Sequence, residues 1–271
     1  DALELGKFSV GPPYFNLLFV PLTLLLLVFL AVGPATNWKK QSAEVILLPL
    51  RKVLLAAVVI AIGVPLAFFG NWPWHVGVTV GLCAWVLGGQ LVDIARKTQH
   101  AATRVQGLKK LTRSYWGMQF AHLGLLVTAL GIAFTTAYSI EKDVRLAPGE
   151  SITVNDYVFR FDGVEDHQGP NYVAQRGTLL VSHDGFSETL HPEKRIYRVQ
   201  QNPMTEAAIS GNSFRDLYVA LGEPLDAGAW AVRIYHKPMI RWVWFGAVLM
   251  AFGAVLAMLD KRYRLKATGG R

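Results

Sequence analysis

Five apolar runs of bilayer-crossing length constrain this chain more than any other feature. A helix that crosses the hydrocarbon core needs about 20 predominantly apolar residues, within a range of roughly 17–25. Leu17–Val32 is dominated by Leu, Val and Phe, with Tyr14–Asn16 leading into it. Val53–Phe69, Trp74–Leu91, Tyr115–Tyr138 and Ile240–Leu259 follow. Buried helices of soluble domains rarely run so far without charge. Charged residues make up only 17% of the 271 residues, against about 25% in an average soluble domain. A freely soluble single domain is therefore not expected. The 14 Phe, 9 Tyr and 8 Trp give too much burial capacity for intrinsic disorder. Cys83 is the one cysteine, so the chain has no disulfide framework, no CxxC redox pair and no zinc ribbon.

Aromatic residues mark the ends of these runs. Trp38, Trp72, Trp74, Tyr115, Trp116, Tyr138, Trp242 and Trp244 all lie near expected boundaries, where rings with an apolar body and a polar edge favour the headgroup level. Charge then orients the spans. The segments after spans one, three and five hold 15 basic residues against three acids (Glu44, Asp93 and Asp260). All three segments fall on one side of a five-span topology, and the excess of Lys and Arg makes that side cytoplasmic. Ser139–Pro238 falls on the other side, with 10 basic residues and 14 acids. The net charge of +8 is thus a topology signal, and a nucleic-acid-binding surface is not expected.

The insert between spans four and five reads as β-structure. Ser151–Phe161 alternates apolar and polar positions, and Tyr172–Ser182 forms a second run. Asp184-Gly185 follows as a hairpin signal. Phe186–Leu190, Lys194–Val199, Asp216–Leu221 and Trp230–Tyr235 complete six expected strands, enough for a small sandwich or barrel. Asn202–Ser213 mixes Thr205, Glu206 and Asn212 with Met204, Ala207, Ala208 and Ile209. That mixture reads as a loop packed against the membrane domain or a partner, or as a plain strand connection. The expected fold is an α-helical transmembrane bundle of about five spans, with a small all-β extracytoplasmic domain inserted before the last. Its partition is an outer segment 1–16, helices and basic cytoplasmic loops over 17–138, a periplasmic β domain 139–238, a span 239–260 and a basic cytoplasmic tail 261–271.

Of seven histidines, six have bland readings. His100 lies in a basic loop. His167, His183 and His191 occupy turn-like contexts without metal-ligand spacing. His75 and His236 sit at span edges. His122 differs, because at 1.5 Å per residue it is roughly 10 Å into span four. An ionisable group at such depth suggests function by default, and imidazole is a haem-iron ligand. Gly117, Ala121, Gly124, Thr128, Gly131 and Thr135 form a small-residue stripe on the same helix. Such a stripe admits either another helix or a flat macrocycle. A hydrogen bond from His122 to a neighbouring helix is the plain alternative to ligation.

Several stretches resemble the C-terminal portion of the CcmF-type cytochrome c haem lyases of System I cytochrome c maturation. They are Val10–Asn16 (VGPPYFN), Ala121–Gly124 (AHLG), and His191–Arg195 (HPEKR) followed by Tyr197. Pro203–Ile209 (PMTEAAI), Arg215–Gly222 (RDLYVALG), Tyr235–Pro238 (YHKP) and Asp260–Arg264 (DKRYR) continue in family order. The family's WWD segment, with its flanking periplasmic histidines, has no counterpart here; Asn71-Trp72-Pro73-Trp74 does not match it. The sequence starts at Asp1 and reads as a split subunit or as one portion of a longer protein.

The resemblance implies a multi-pass protein of the bacterial inner membrane that attaches haem to apocytochrome c. It implies a b-type haem in the membrane with His122 as one axial ligand, the other lying outside this chain. Implied partners are the missing N-terminal half with the WWD segment, the haem chaperone CcmE, the apocytochrome-handling subunit CcmH, apocytochrome c, membrane lipid, and quinol as electron donor. The thiols of the thioether bonds would come from the substrate, which suits a chain with only Cys83. A chain without the WWD segment is not expected to suffice alone. Two other classes remain open: a non-catalytic scaffold docking maturation partners through its β domain, and a transporter. The second is weakened by the absence of an inverted repeat or paired broken helices.

Overall fold

A computed structural model describes residues 11–36, 42–69, 73–199 and 201–260. Trp38, Lys39, Lys40, Asn71, Trp72, residues 1–10 and the basic tail 261–271 lie outside the described residues. The helices are α1 (Pro12–Leu30), α2 (Ala43–Phe69), α3 (Trp74–Thr98), the short α4 (Arg104–Lys110), α5 (Arg113–Tyr138) and α6 (Ile240–Met258). Among the described residues, five of these are long and apolar enough to cross a membrane. Proline stands in the first turn of α1, where its missing N–H costs nothing. α4 starts at Thr103, whose hydroxyl accepts from the Gln106 N–H, an ordinary N-cap.

Three helices are longer than the apolar runs that announce them. α2 begins ten residues before Val53, so Arg51 and Lys52 lie within a helix rather than in a loop. α3 continues past Leu91 to Thr98, with Arg96 and Lys97 in its last turn, where cations complement the helix dipole. α5 begins two residues earlier, at Arg113. Its N-terminus receives a carboxylate, since the Ser114 N–H donates to Asp260 Oδ2 at 2.8 Å.

The helices pack through small residues. The outgoing end of α1 rests on α3, where a side chain on Gly89 would meet the Ala31 carbonyl at 2.9 Å. The Trp85 indole N–H donates to the Val28 carbonyl at 3.1 Å, near the C-terminal end of α1 where carbonyls lack helical partners. Leu27, Ala31, Cys83, Val86, Leu126 and Ala129 form a buried cluster from α1, α3 and α5.

Among the described residues ten strands lie between α5 and α6, where the sequence pattern predicts six. One sheet has the order β1 (Ile140–Leu146), β10 (Trp230–Pro238), β9 (Arg215–Pro224), β8 (Ala208–Gly211). The other runs β2 (Ser151–Val154), β3 (Tyr157–Gln168), β4 (Tyr172–His183), β6 (Glu193–Tyr197), β7 (Pro203–Glu206), with β5 (Phe186–Leu190) also paired to β4. All pairings are antiparallel. The inner faces of both sheets close over one core of Leu146, Val154, Phe159, Phe161, Leu179, Val181, Leu190, Leu217, Val219, Leu221, Trp230, Val232 and Ile234.

Three strand readings change. Ser151–Phe161 is a hairpin, not one strand: Asn155 takes φ 53° at the turn between β2 and β3, a left-handed conformation that Asn tolerates. Asn202–Ser213 is not a loop, because it supplies β7 to one sheet and β8 to the other. β1 adds a strand that the sequence pattern does not predict. The chain divides into two compact units, one of residues to Ala133 together with Phe245 onward, the other Phe134–Trp244.

Candidate functional site

His122 lies midway along α5. Its ring is partly buried, and Nδ1 is fully buried with no hydrogen-bond partner among the described residues. The interhelical hydrogen bond that offered the plain alternative is thus not made by Nδ1. An unmet polar nitrogen in apolar surroundings is costly, so this atom calls for a partner.

The small-residue stripe serves a different purpose. A side chain on Gly117 would meet the Gly253 carbonyl at 2.5 Å, and one on Gly124 the Gly246 carbonyl at 2.6 Å. Conversely, a Cβ on Gly253 would lie 2.6 Å from the Ala121 N. α6 therefore occupies the stripe at backbone contact, in the small-xxx-small manner of membrane helices. The room beside Ala121 and Gly124 expected for a macrocycle is filled by Gly246, Met250 and Gly253.

His122 points elsewhere. At about 3.6 residues per turn it shares a face with Tyr115, Gln119 and Leu126, spaced 4, 3 and 4. That face meets α3. Gln90 Nε2 donates to the Gln119 carbonyl at 3.4 Å, and the Cys83 thiol donates to the Leu126 carbonyl at 3.7 Å.

A polar chain runs along the same face, and sequence reasoning missed it. Asp93 was placed in a cytoplasmic loop; the extension of α3 puts it in the helix with only 6% exposure. Lys97 Nζ donates to both of its oxygens, at 2.6 and 2.8 Å. Tyr115 Oη donates to Asp93 Oδ2 at 2.7 Å, and Gln119 Nε2 donates to Tyr115 Oη at 2.7 Å. Gln119 Oε1 is buried and without a partner among the described residues. Asp93 is thus an ionisable group within a spanning helix, near its end. The available signal was the 4-and-3 spacing of Tyr115, Gln119 and His122.

Four other histidines lie in the β domain. His167 Nε2 accepts from Arg176 Nη2 at 2.6 Å. His183 Nδ1 donates to the Asp156 carbonyl at 2.7 Å. His191 Nδ1 lies 3.4 Å from the Thr178 hydroxyl. His236 is buried beside Tyr157, and its Nδ1, like that of His122, has no hydrogen-bond partner among the described residues. Burial, with the nearby Arg215 charge, lowers its pKa. Among the described residues no group of three His, Cys, Asp or Glu could hold a metal ion.

The HPEKR stretch places Glu193 between two guanidinium groups. Arg176 Nε and Arg195 Nε each donate to it at 2.6 Å, and Arg195 stands 3.5 Å from Glu206 on β7. Burial pushes the Glu193 carboxyl up, but the hydrogen bonds from Arg195 and Arg176 outweigh it and the net shift is downward. This strut ties β4, β6 and β7 together.

These features define a class: a multi-pass membrane chain with a β-sandwich inserted before its last span. Residues 137–238 match the family described as the CcmF C-terminal β-sandwich. The chain is 49% identical over 98% of its length to the cytochrome c-type biogenesis protein CcmF of Pseudomonas aeruginosa, and 40% identical over 98% to that of Escherichia coli. In both cases it spans 40% of the relative's length. A solved structure titled cytochrome c heme lyase CcmF superposes with a TM-score of 0.77 at 21% identity, covering 92% of this chain and 41% of that one. The chain is similar to the C-terminal portion of CcmF-type proteins.

Proposed function

We propose that this chain is the C-terminal part of a haem lyase that attaches haem covalently to apocytochrome c, and that His122 is one axial ligand of a b-type haem within the membrane. The observation that carries this reading is a buried, unpartnered His122 nitrogen inside a spanning helix, a setting that the equally unpartnered Nδ1 of His236 on β10 lacks. The donor fits the group, since neutral imidazole is a common haem-iron ligand. With the stripe taken by α6, His122 would hold the group from this chain, and the N-terminal half of the protein would supply the second ligand. Such a haem, when bound, supplies the electron that reduces the substrate's haem iron, with quinol as donor.

The residues of this chain hold and position. α3 and α6 grip α5 from two sides and fix where the His122 ring stands. The thioether bonds form on the substrate's own cysteines, consistent with Cys83 being buried and unpaired. The WWD segment belongs to the N-terminal half, so this chain does not act alone.

In this reading the protein sits in the bacterial inner membrane. The region 139–238 is periplasmic, 17–138 and 239–260 are membrane-embedded, and the basic tail 261–271 is cytoplasmic. The β domain faces CcmE, CcmH and the apocytochrome. Covalent cytochrome c formation tests the function in cells lacking their own lyase. Co-expression of this chain with its N-terminal half should restore it, His100→Ala should match the unaltered chain, and His122→Ala should abolish it. Normal maturation with His122→Ala would favour the scaffold reading instead.

A further inference from the structure

Two buried polar atoms on one face of α5 lack partners among the described residues, and they are chemically complementary. Gln119 Oε1 is an acceptor; His122 Nδ1 is a donor in one of the ring's two tautomers. Residues three apart on a helix are neighbours, with Cβ atoms about 5–6 Å apart. The orientation of the Gln119 amide is not arbitrary. Its Nε2 is committed to Tyr115 Oη at 2.7 Å, and Tyr115 Oη is itself committed to Asp93 Oδ2 at 2.7 Å. Asp93 is fixed by Lys97. The chain of donors therefore runs in one direction and leaves the side-chain Oε1 of Gln119 as its free end, one turn from the histidine.

We propose that Gln119 is the positioning residue of His122: its Oε1 accepts the Nδ1–H, directly or through one water, when His122 is ligated. This inference rests on His122 being a haem ligand. A single bond satisfies both orphan atoms, which removes two desolvation penalties at once. It also selects the tautomer whose bare nitrogen is Nε2, turned away from Gln119, and it holds the ring plane. Metal-bound histidines almost always donate their second N–H in this way. Tyr115 and Asp93 act one and two steps further back, by setting which end of the Gln119 amide faces the histidine. An acceptor on Nδ1–H makes the imidazole a stronger donor to iron and favours the ferric state. Its loss raises the reduction potential.

The test uses the assembled complex, with the N-terminal half present and its b-type haem bound. Gln119→Leu should keep a low-spin b-type spectrum, while the haem reduction equilibrium shifts about ten-fold toward the ferrous form, which is about 59 mV for one electron. Tyr115→Phe, which frees the amide to turn over, should shift it in the same direction by less. Should Gln119→Leu fail to accumulate, Tyr115→Phe against the unaltered complex decides. His122→Ala separates the two levels of the argument. Loss of haem in His122→Ala, with an unchanged potential in Gln119→Leu and Tyr115→Phe, would overturn the positioning role alone. Full haem content in His122→Ala would overturn the ligand reading on which it rests.

Discussion

The β-sandwich and the helices solve burial in opposite ways. In the sandwich, Phe159, Phe161, Leu179, Val181, Leu217 and Val219 are wholly buried by the chain's own strands. In α1, Leu17 is 74% exposed and Phe19 is 60% exposed, and the outward faces of α2 and α6 are similarly bare. A soluble domain could not leave such surface open to water, because every apolar Å² in water costs about 25 cal/mol. The difference teaches that the sandwich carries its stability internally, whereas the helices depend on lipid and on other helices. Inside the helical unit, α5 and α6 approach to backbone contact where Gly117, Gly124, Gly246 and Gly253 stand.

The largest expected contrast comes from truncating one phenylalanine in each region. Phe161→Ala should cost the sandwich about 3–5 kcal/mol, read as loss of the cooperative unfolding transition of the β signal in detergent. Phe19→Ala on the open face of α1 should leave thermal stability within about 0.5 kcal/mol. Equal losses would mean that the face of α1 is packed by protein.

Gly124→Leu comes next. It drives a side chain into the Gly246 carbonyl and Met250 and should separate α5 from α6 at a cost of at least about 1–3 kcal/mol. Disulfide trapping between cysteines placed at 117 and 253 should fall in that variant. Undiminished trapping would show that the helix pair does not depend on the glycine contact.

A smaller effect separates the regions by pH. The Glu193 carboxyl titrates lower in the fold than in the unfolded chain. Its contribution is therefore present above its unfolded pKa, about 4.3 for Glu, and is lost as pH falls through the folded value. His236 also titrates lower in the fold. It resists protonation, so stability declines as pH drops below its unfolded pKa of about 6.5. The sandwich melting temperature should fall in two stages on acidification, with Glu193→Gln removing the lower one and His236→Asn the upper.

The smallest expected effect is that of Glu206→Lys. Glu206 is half exposed and pairs with Arg195 only at 3.5 Å, so reversal should cost less than about 1 kcal/mol. Cytochrome c maturation should nonetheless fall at constant abundance, if β7 meets a partner. Unimpaired maturation would make β7 an ordinary sheet edge.

Much of this architecture was legible because burial writes itself into pattern. The apolar runs mark all five spanning helices, and short runs between turn residues mark β4, β5, β6, β9 and β10. Helix ends were less visible: charge stops hydropathy but not helix formation, so Asp93 was read as outside a span that in fact contains it. β1 was hidden because Ile140–Leu146 carries four charged residues, as suits a strand at a sheet edge. β7 begins at Pro203 and is exposed throughout, again an edge that alternation cannot reveal. At the candidate site, depth in a helix singled out His122, but the stripe beside it could not reveal its occupant. Only the packing of α6 distinguishes a helix from a macrocycle there.

The most direct measurement is the haem content of the purified, complete complex carrying His122→Ala, read from its reduced-minus-oxidised spectrum and from pyridine haemochrome. The account predicts a marked loss of b-type haem, partly restored by added imidazole that fills the vacated position, with full retention in His100→Ala. An unchanged spectrum at full haem content in His122→Ala would contradict it.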